Sequence, residues 1–335
     1  MITFTKRPGS ADLLLRSALR WLSPAGPSAR LSIVLFHRVL PTCDPLFPDD
    51  MDSGRFNRIC AWLAAWFNVM PLDEALRLQA EGSLPERALA ITFDDGYADN
   101  HDIAMPILRA HGLSATFFIA TGYLNGGRMW NDTVVESIRL SSRDFVSLSS
   151  LGLEGLTDLD LGSHTARRQA AHRLLAAAKY LPSAQRQEVV DRIAGIVGAK
   201  LPQNLMMSTE QLRALRDGGM QIGAHTISHP ILAGLEPAHA EREIVGGKAA
   251  LENLLQQPVT LFAYPNGKPG KDYLPRDVDL VRRAGFVAAV STAYGAWRTA
   301  SGDRFQLPRF TPWDTQRWRF GARMARNLLV PSALA

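Results

Sequence analysis

Cysteine is scarce in this chain, whose 335 residues include only Cys43 and Cys60 and no C-x-x-C pair. Two free thiols in a reducing compartment are expected, with a single bridge as the alternative. No apolar run approaches the roughly 20 residues that a membrane-spanning helix needs. The first segment also lacks the apolar core and the cleavage site of a secretory signal, so a cytoplasmic location is expected.

Long runs of consecutive basic residues are missing as well, which argues against nucleic acid as a partner. The net charge of +5 at pH 7 fits solubility, or contact with an anionic lipid or an acidic polymer. No internal repeat or low-complexity segment is present. The remaining composition, 46% hydrophobic and 21% charged, is that of an ordinary globular protein with one large α/β domain or two smaller ones.

Short apolar runs alternate with amphipathic helical patterns along most of the chain. The runs predict strands at residues 31–36, 69–70, 88–93, 115–120, 220–224, 259–264, 286–291 and 305–310. About seven parallel strands with helices between them indicate the α/β class, as a closed or nearly closed barrel. The alternation stops between about residues 126 and 207, which we interpret as a largely helical insertion without a dense apolar set of its own.

Amphipathic helices are predicted in the sequence before and after the barrel. Residues 1–30 hold a basic helix and a linker, residues 31–312 form the barrel, and residues 313–335 hold a second basic helix. For the first helix, packing against the barrel is favoured over a position on a membrane surface. For the second helix both possibilities stay open.

Two acidic residues, Asp94 and Asp95, directly follow the strand predicted at residues 88–93. Adjacent side chains at the end of a strand point in different directions, so one acid can bind a metal while the other takes a proton. Gly96 then permits a tight turn or a close substrate approach. Taken alone, however, the pattern is typical of an ordinary Asp-Gly turn.

A pair of histidines follows another predicted strand, at residues 220–224. The spacing of His225 and His229 predicts two rings on one side of a helical turn, which suits one metal ion. Because both motifs follow strands, we expect them to face one pocket. Two histidines and one aspartate predict a divalent metal site for the hydrolysis of an amide or ester, with Asp94 as base.

These two motifs resemble those of a known family. The runs Thr-Phe-Asp-Asp-Gly at residues 92–96 and His-Thr-Ile-Ser-His-Pro at residues 225–230 are similar to the first two motifs of the polysaccharide deacetylases, the NodB homology group or carbohydrate esterase family 4. The resemblance covers about residues 31–310. It implies a distorted (β/α)7–8 barrel of the NodB type that removes N-acetyl groups from amino-sugar polymers. It also implies the site residues, with Asp94 as base and Asp95, His225 and His229 as ligands of a divalent metal, commonly zinc.

The later motifs of the family match less well. In place of Arg-x-Pro-Tyr-Gly the chain has Ala-Tyr-Pro-Asn-Gly at residues 263–267, so the arginine that braces the base is replaced. The backbone N–H of Asn266 keeps the role of oxyanion donor, since that role needs only the main chain. Where the family offers a histidine as general acid, the chain has Arg309, which stays protonated but stabilises negative charge. His37 is the substitute acid that we expect, with a packed strand-end histidine as the alternative.

Three further residues, Tyr264, Pro265 and Trp130, are expected to contact the sugar, with packing inside the fold as the alternative for the two aromatic rings. A subgroup of the family linked to exopolysaccharide synthesis resembles the chain at residues 36–39 and 263–265.

The expected function is metal-dependent N-deacetylation of an amino-sugar polysaccharide or a lipid-linked saccharide. Zinc is the expected cofactor, with cobalt, nickel or iron as alternatives. A hydrolase of small N-acyl or cyclic amide compounds is the second reading, and a saccharide-binding scaffold that has lost catalysis is the third. Contact with the inner face of a membrane or with polysaccharide-assembly proteins completes the expected partners.

Overall fold

The computed structural model describes residues 10–151, 158–298, 302–331 and 333–335. The strands in these ranges are β1 Ser32–Phe36, β2 Asn68–Val69, β3 Ala88–Phe93, β4 Thr116–Ile119, β5 Phe145–Ser147, β6 Asp158–Asp160, β7 Gln221–Ala224, β8 Leu261–Ala263 and β9 Ala288–Val290. The α-helices are α1 Ser10–Leu22, α2 Ser53–Trp66, α3 Leu72–Ala80, α4 Met105–Ala110, α5 Trp130–Leu140, α6 His164–Ala178, α7 Ser183–Val197, α8 Thr209–Asp217, α9 Pro237–Leu255, α10 Pro275–Arg283 and α11 Arg317–Asn327.

Seven strands form one parallel sheet, in which β1, β3, β4, β7, β8 and β9 follow one another. β2 pairs with the start of β3 and β4 with its end, so both lie on the same side of β3. Parallel neighbours need crossover connections, and helices such as α2, α9 and α10 provide them. The α/β class predicted from the alternation is confirmed.

The two edges of the sheet, β1 and β9, meet at the segment around Pro308. Phe310 donates its backbone N–H to Ile33 at 2.7 Å, and Leu307 donates to Ala289 at 2.8 Å. Because Pro308 has no N–H, the segment makes isolated bridges instead of the full last strand that the sequence predicted. The sheet is therefore a curled, distorted barrel with an irregular seam.

Both faces of the sheet are buried, because alternate strand residues pack into two apolar clusters. On one face Phe93 packs against Phe56 of α2, with ring centroids 5.7 Å apart. On the other face the smaller residues Ile33, Ala90 and Ala263 join a second cluster with α3. Burial on both faces explains why the strands appear in the sequence as continuous apolar runs.

The insertion between β4 and β7 contains α5, α6, α7 and the antiparallel pair of β5 and β6. The prediction that it lacks a dense apolar set is wrong. Its elements surround a cluster of their own, which includes Val134, Ile138, Leu174 and Val190 at zero to 1% exposure. The signal was hidden because these residues are spread over three helices with many alanine and charged residues between them.

The helices predicted at the two ends of the barrel are present as α1 and α11. Leu19 of α1 and Phe320 and Met324 of α11 are fully buried, so both helices pack against the barrel through one face. No helix in the described ranges is both long and apolar enough to cross a membrane.

Candidate active site

Asp94 and Asp95 lie at the C-terminal end of β3, where the chain turns sharply. Asp95 and Gly96 have positive φ angles of 79° and 93°. A Cβ on Gly96 would also come within 3.3 Å of the Ile119 side chain, so the turn needs glycine for its backbone angle and for space. The turn directs the two carboxylates to different partners, as the sequence predicted: Asp94 contacts Arg309, and Asp95 faces two histidines.

Arg309 braces Asp94 from the seam of the barrel. Its Nη1 and Nη2 donate to the two oxygens of Asp94 at 2.8 and 2.7 Å, and its Nε donates to the carbonyl of Ser291 at 2.8 Å. The inference that the base has no bracing arginine is therefore wrong. Arg309 occupies that role and not the role of the missing histidine, because the closed sheet brings residues 94 and 309 together.

The ion pair sets the protonation state of Asp94. Burial alone would raise the pKa of this carboxyl group, but the positive charge of Arg309, aided by His225, lowers the pKa below its ordinary value. Asp94 is therefore ionised, and two charge-assisted hydrogen bonds fix its orientation. A carboxylate in this state can accept a proton, whereas the guanidinium of Arg309 cannot give one up at ordinary pH.

Three side chains beside Asp94 form a set suited to a metal ion. The Nε2 atoms of His225 and His229 lie 3.5 and 3.4 Å from Oδ1 of Asp95, and the ligand atoms of the three residues lie within 4.8 Å of one another. Within the described residues this Oδ1 is buried without a hydrogen-bond partner. Such an oxygen is costly to bury alone but fits a cation, so the residues present fit a divalent metal.

The two imidazoles are prepared for a metal in different ways. Nδ1 of His225 lies 2.8 Å from the Ala263 carbonyl oxygen, so Nδ1 carries the proton and Nε2 faces Asp95. Burial lowers the pKa of His229 to about 4, which leaves its ring neutral. Burial would also lower the pKa of His225, but Asp94 and Asp95 raise it, and a bound cation would displace that proton. One carboxylate and two imidazoles are a donor set that suits zinc.

The histidines do not lie on a helical turn, contrary to the prediction. Thr226 and His229 have positive φ angles of 66° and 54°, and this reversing loop brings the two imidazole rings to a centroid distance of 4.7 Å. Glu243 of α9 holds the loop, accepting from the backbone N–H groups of Ile227 at 3.0 Å and Ser228 at 2.8 Å. Sequence reasoning missed Glu243, since an acid in an amphipathic helix carries no particular signal.

The metal-binding set opens into a pocket of about 460 Å³. The barrel contributes His37, Asn266 and Thr292 to its wall, and the insertion contributes Trp130, Asn131, His172 and Lys179. Of the residues singled out from the sequence, His37, Asn266 and Trp130 lie in this wall. The contribution of α6 could not be found from the sequence, because no motif marks that helix.

His37 and Asn266 are both held in place by neighbouring loops. The side chain of Asn100 donates to the carbonyl of His37 at 2.8 Å, which ties the end of β1 to the segment after Asp95. Asn266 has a positive φ of 59°, and Thr292 donates its hydroxyl to the Asn266 carbonyl at 2.9 Å. The roles of His37 as acid and of the Asn266 N–H as oxyanion donor stay predictions.

Two of the predicted sugar contacts lie elsewhere. Tyr264 is fully buried, stacks on Tyr273 at 3.9 Å between ring centroids, and donates its hydroxyl to the Phe305 carbonyl at 2.9 Å. Pro265 is buried as well and is not part of the pocket wall. Both predictions are corrected: the Tyr264 ring fills the core between its contacts with Tyr273 and Phe305, and Pro265 is buried beside it. Trp130 does line the pocket, with the guanidinium of Arg186 5.0 Å from its ring centroid.

A second groove of about 390 Å³ adjoins the pocket and shares His37 and Asp95 with it. Asp132 of α5 lies in this groove and accepts a hydrogen bond from the Tyr97 hydroxyl at 3.0 Å. Burial raises the pKa of Asp132 to about 7. Trp313 also lines the groove, just before α11.

Comparison with known proteins identifies the family. Residues 81–289 match the model of the family described as polysaccharide deacetylase. Since this is more than half of the chain, the chain belongs to the polysaccharide deacetylases, which are hydrolases that remove N-acetyl groups by cleaving amide bonds.

Individual relatives are distant. "Putative polysaccharide deacetylase YxkH" of Bacillus subtilis (strain 168) is 20% identical over 278 residues, which is 82% of this chain and 69% of that protein. The structure of IcaB from Ammonifex degensii is similar with a TM-score of 0.56 at 18% identity, covering 92% of this chain and 99% of that one. The structure of the Streptococcus pyogenes deacetylase PplD in complex with acetate is similar with a TM-score of 0.55 at 18% identity. The match covers 84% of this chain and 92% of that one. These likenesses confirm the predicted NodB-type fold.

Proposed function

We propose that this chain is a metal-dependent N-deacetylase of an amino-sugar polysaccharide, oligosaccharide or lipid-linked saccharide. The observation that carries the proposal is the position of Asp94. Arg309 holds this carboxylate ionised at the wall of the same pocket that Asp95, His225 and His229 face. A proton acceptor and a metal-binding set in one pocket are the two parts that hydrolysis of an amide requires.

The residues around the pocket divide the proton transfers between them. Asp94 accepts the proton of the attacking water, because its carboxylate is ionised and oriented. His37, on the wall of the same pocket, donates a proton to the departing amine. The backbone N–H of Asn266 donates a hydrogen bond to the developing oxyanion. A divalent cation bound by the three ligands would polarise the acyl oxygen and lower the pKa of a water, and zinc is the ion that we propose, with cobalt, nickel or iron as alternatives.

The shape of the site favours a saccharide over a small N-acyl or cyclic amide compound, since the pocket continues into the second groove. A saccharide-binding scaffold is disfavoured, because an inactive protein gains nothing from a buried carboxylate oxygen without a partner. The resemblance of residues 36–39 and 263–265 to a subgroup linked to exopolysaccharide synthesis supports a role in that process. A cytoplasmic location is part of this proposal.

Acetate release from N-acetylglucosamine oligomers by the zinc-loaded chain tests the proposal. We expect Asp94→Asn to lower kcat by about 10²–10⁴-fold, the range of general base catalysis. Asp102→Asn is the matched control, because Asp102 is an exposed acid outside the pocket, and it should leave kcat unchanged. Absence of acetate release from the zinc-loaded wild type would contradict the proposal, and full activity of Asp94→Asn would remove Asp94 as base.

The role of His37 is tested separately with two kinds of leaving group. If His37 donates the proton to the departing amine, His37→Gln should lower kcat for an N-acetylated sugar but have little effect on kcat for an activated acetate ester, whose leaving group needs no proton. His239→Gln, at an exposed position on α9, is the control. Equal losses of kcat on the two substrates would exclude His37 from the proton transfers.

A further inference from the structure

The terminal helices α1 and α11 pack against each other as well as against the barrel. A Cβ on Gly321 of α11 would lie 2.5 Å from the Leu15 side chain of α1, so the two helices are in close contact. Asp12 forms an ion pair with Arg317 across the same contact. One face of each helix is thereby buried, and the opposite face of each helix is exposed.

These outward faces carry the most exposed large apolar side chains in the described ranges. Trp21 is 82% exposed, Leu14 73% and Trp318 68%. Leu14 and Trp21 are seven residues apart and therefore share one face of α1, and Arg319 and Arg326 share one face of α11 by the same spacing. Leu329, which is 56% exposed, follows the end of α11. A single exposed apolar side chain is ordinary, whereas three on one helix pair, two of them tryptophans, mark an interaction surface.

Arginine accompanies the apolar side chains on this surface. α11 contains four arginines and no acidic residue. Two of them are paired with aspartates, but no ion pair among the described residues involves Arg319 or Arg326, and both are exposed. The guanidinium of Arg319 lies 5.3 Å from the ring centroid of Trp318, so positive charge and an indole are presented together.

We propose that the helix pair docks on a membrane surface that contains anionic lipid. The docking face, called here the terminal-helix face, consists of Leu14, Trp21, Trp318, Arg319, Arg326 and Leu329. Indole rings prefer the boundary between headgroups and acyl chains, and guanidinium groups bind lipid phosphates. The chain would lie on the membrane and not cross it, consistent with the lengths of its described helices.

Two other occupants fit this face less well. An acidic polymer would pair with the arginines but would leave the indole and leucine side chains in water. A second copy of the chain, related by two-fold symmetry, would bring the unpaired arginines of both copies to the same interface. Anionic lipid satisfies the apolar and the charged side chains at once.

The terminal-helix face lies next to the substrate groove along the chain. Trp313 lines the second groove, and Trp318 is five residues further on, so their Cα atoms are at most about 18 Å apart. Docking would therefore hold the groove close to the lipid surface. This arrangement suits a saccharide that is itself attached to lipid, within the function proposed above, although membrane binding itself does not depend on that function.

Sedimentation with vesicles tests the proposal on the whole chain. Vesicles of phosphatidylcholine alone are compared with vesicles of equal parts phosphatidylcholine and phosphatidylglycerol, at low and high salt. We expect partitioning onto the mixed vesicles, weakened by salt, with a blue shift of tryptophan emission. Brominated lipids should quench that emission, because the indoles would enter the interface.

Two pairs of variants and controls locate the contact. Trp21→Ser combined with Trp318→Ser should weaken partitioning by about tenfold or more, whereas Phe145→Ser, which removes an exposed aromatic ring from the insertion, should not. Arg319→Gln combined with Arg326→Gln should weaken it by about fivefold for each arginine removed. Arg109→Gln combined with Arg283→Gln removes the same charge from exposed positions on α4 and α10 and should have no more than a small effect.

The outcomes separate the proposal from its rivals and from the proposed enzymatic function. Absence of binding to the mixed vesicles, or equal binding by both members of a variant and control pair, overturns membrane docking. A dimer that persists in solution and is disrupted by the double tryptophan variant overturns it in favour of a second copy. Acetate release from soluble oligomers is measured in the same preparations, so a failure of deacetylation is seen independently of vesicle binding.

Discussion

The carboxylate of Asp94 and the guanidinium of Arg309 belong to residues 215 positions apart, yet they share two hydrogen bonds of 2.8 and 2.7 Å. At the scale of single residues, this pair holds the proposed base in its ionised form. The side chain of Arg309 is 0% exposed and that of Asp94 is 3% exposed, so each charge depends on the other for compensation.

Arg309→Met should therefore destabilise the chain and inactivate it. Removing one partner of a buried ion pair costs about 3–5 kcal/mol in the free energy of unfolding, because Asp94 is left as an uncompensated charge. The double variant with Asp94→Asn should regain most of that stability but not the activity, since no unpaired charge remains. Urea unfolding and acetate release measure the two effects. An Arg309→Met chain as stable as the wild type would contradict the account of the pair.

The residue scale is also where sequence reasoning had its clearest limits. Asp94, Asp95, His225 and His229 could be recognised because they follow predicted strands in two compact motifs. The partner of Asp94 could not, because it is set by closure of the barrel across the seam at Pro308, which no local pattern records. Tyr264 was misassigned because its burial depends on contacts with Tyr273 and Phe305, which both lie outside the motif.

At the scale of elements, the contact between α9 and the loop that carries the two histidines shapes the metal site. Gly247 lies on the face of α9 that meets this loop, and a Cβ there would be 2.7 Å from the Thr226 carbonyl oxygen. Glu243 also accepts hydrogen bonds from backbone N–H groups of this loop. The close approach and these hydrogen bonds together hold the loop in its positive-φ conformation.

Gly247→Ala should consequently weaken zinc binding without touching a ligand. The added methyl group would push the Thr226 backbone away, and displacement of groups that orient metal ligands typically costs 10–100-fold in affinity. Gly195→Ala is the matched control, because that glycine also lies in a helix but its Cβ would meet nothing within 4 Å. Calorimetric titration with zinc compares the two. Equal affinities would show that the helix does not position the loop.

The first turn of α5 carries a second element-scale prediction, which concerns pH. Burial raises the pKa of Asp132 to about 7, while an unfolded aspartate titrates near about 4. Between these values the unfolded chain has lost the proton and the folded chain keeps it, so the free energy of unfolding falls as pH rises. The limiting slope for this one group is about 1.4 kcal/mol per pH unit.

Asp132→Asn should flatten this pH dependence. The variant cannot ionise and still accepts from the Tyr97 hydroxyl, so its unfolding free energy should exceed that of the wild type above pH 7 and approach it toward pH 4. Chemical unfolding across this range, with a chelator present to remove metal, provides the measurement. Asp158→Asn, at an exposed position on β6, is the control, and a slope identical to the wild type in Asp132→Asn would refute the assignment.

The elements themselves were largely predictable, and the reason is physical. Both faces of the parallel sheet are buried, so its strands appear in the sequence as short apolar runs. The helices between them appear as apolar residues repeated at helical spacing. The paired histidines were the exception. Their spacing indicated a helical turn, whereas positive φ angles at Thr226 and His229 reverse the chain. A backbone held by a long-range contact with Glu243 overrides the local pattern.

At the scale of the whole molecule, the barrel and its insertion build the pocket together. The barrel supplies the proposed base, the proposed metal ligands and His37, and α5 and α6 of the insertion supply the opposite wall with Trp130 and His172. The insertion has its own apolar cluster, which holds that wall together. We therefore assign the chemistry to the barrel and the shape of the substrate site to the insertion.

In the proposed deacetylation, one metal ion at Asp95, His225 and His229 works with Asp94. The most direct measurement is acetate release from N-acetylglucosamine oligomers by the metal-stripped chain as zinc is added back. We expect no release without metal, then a linear rise that ends at one zinc per chain, and neither tight zinc binding nor acetate release in Asp95→Asn. Full activity of the metal-stripped chain, or one zinc bound per chain without any acetate, would contradict the claim.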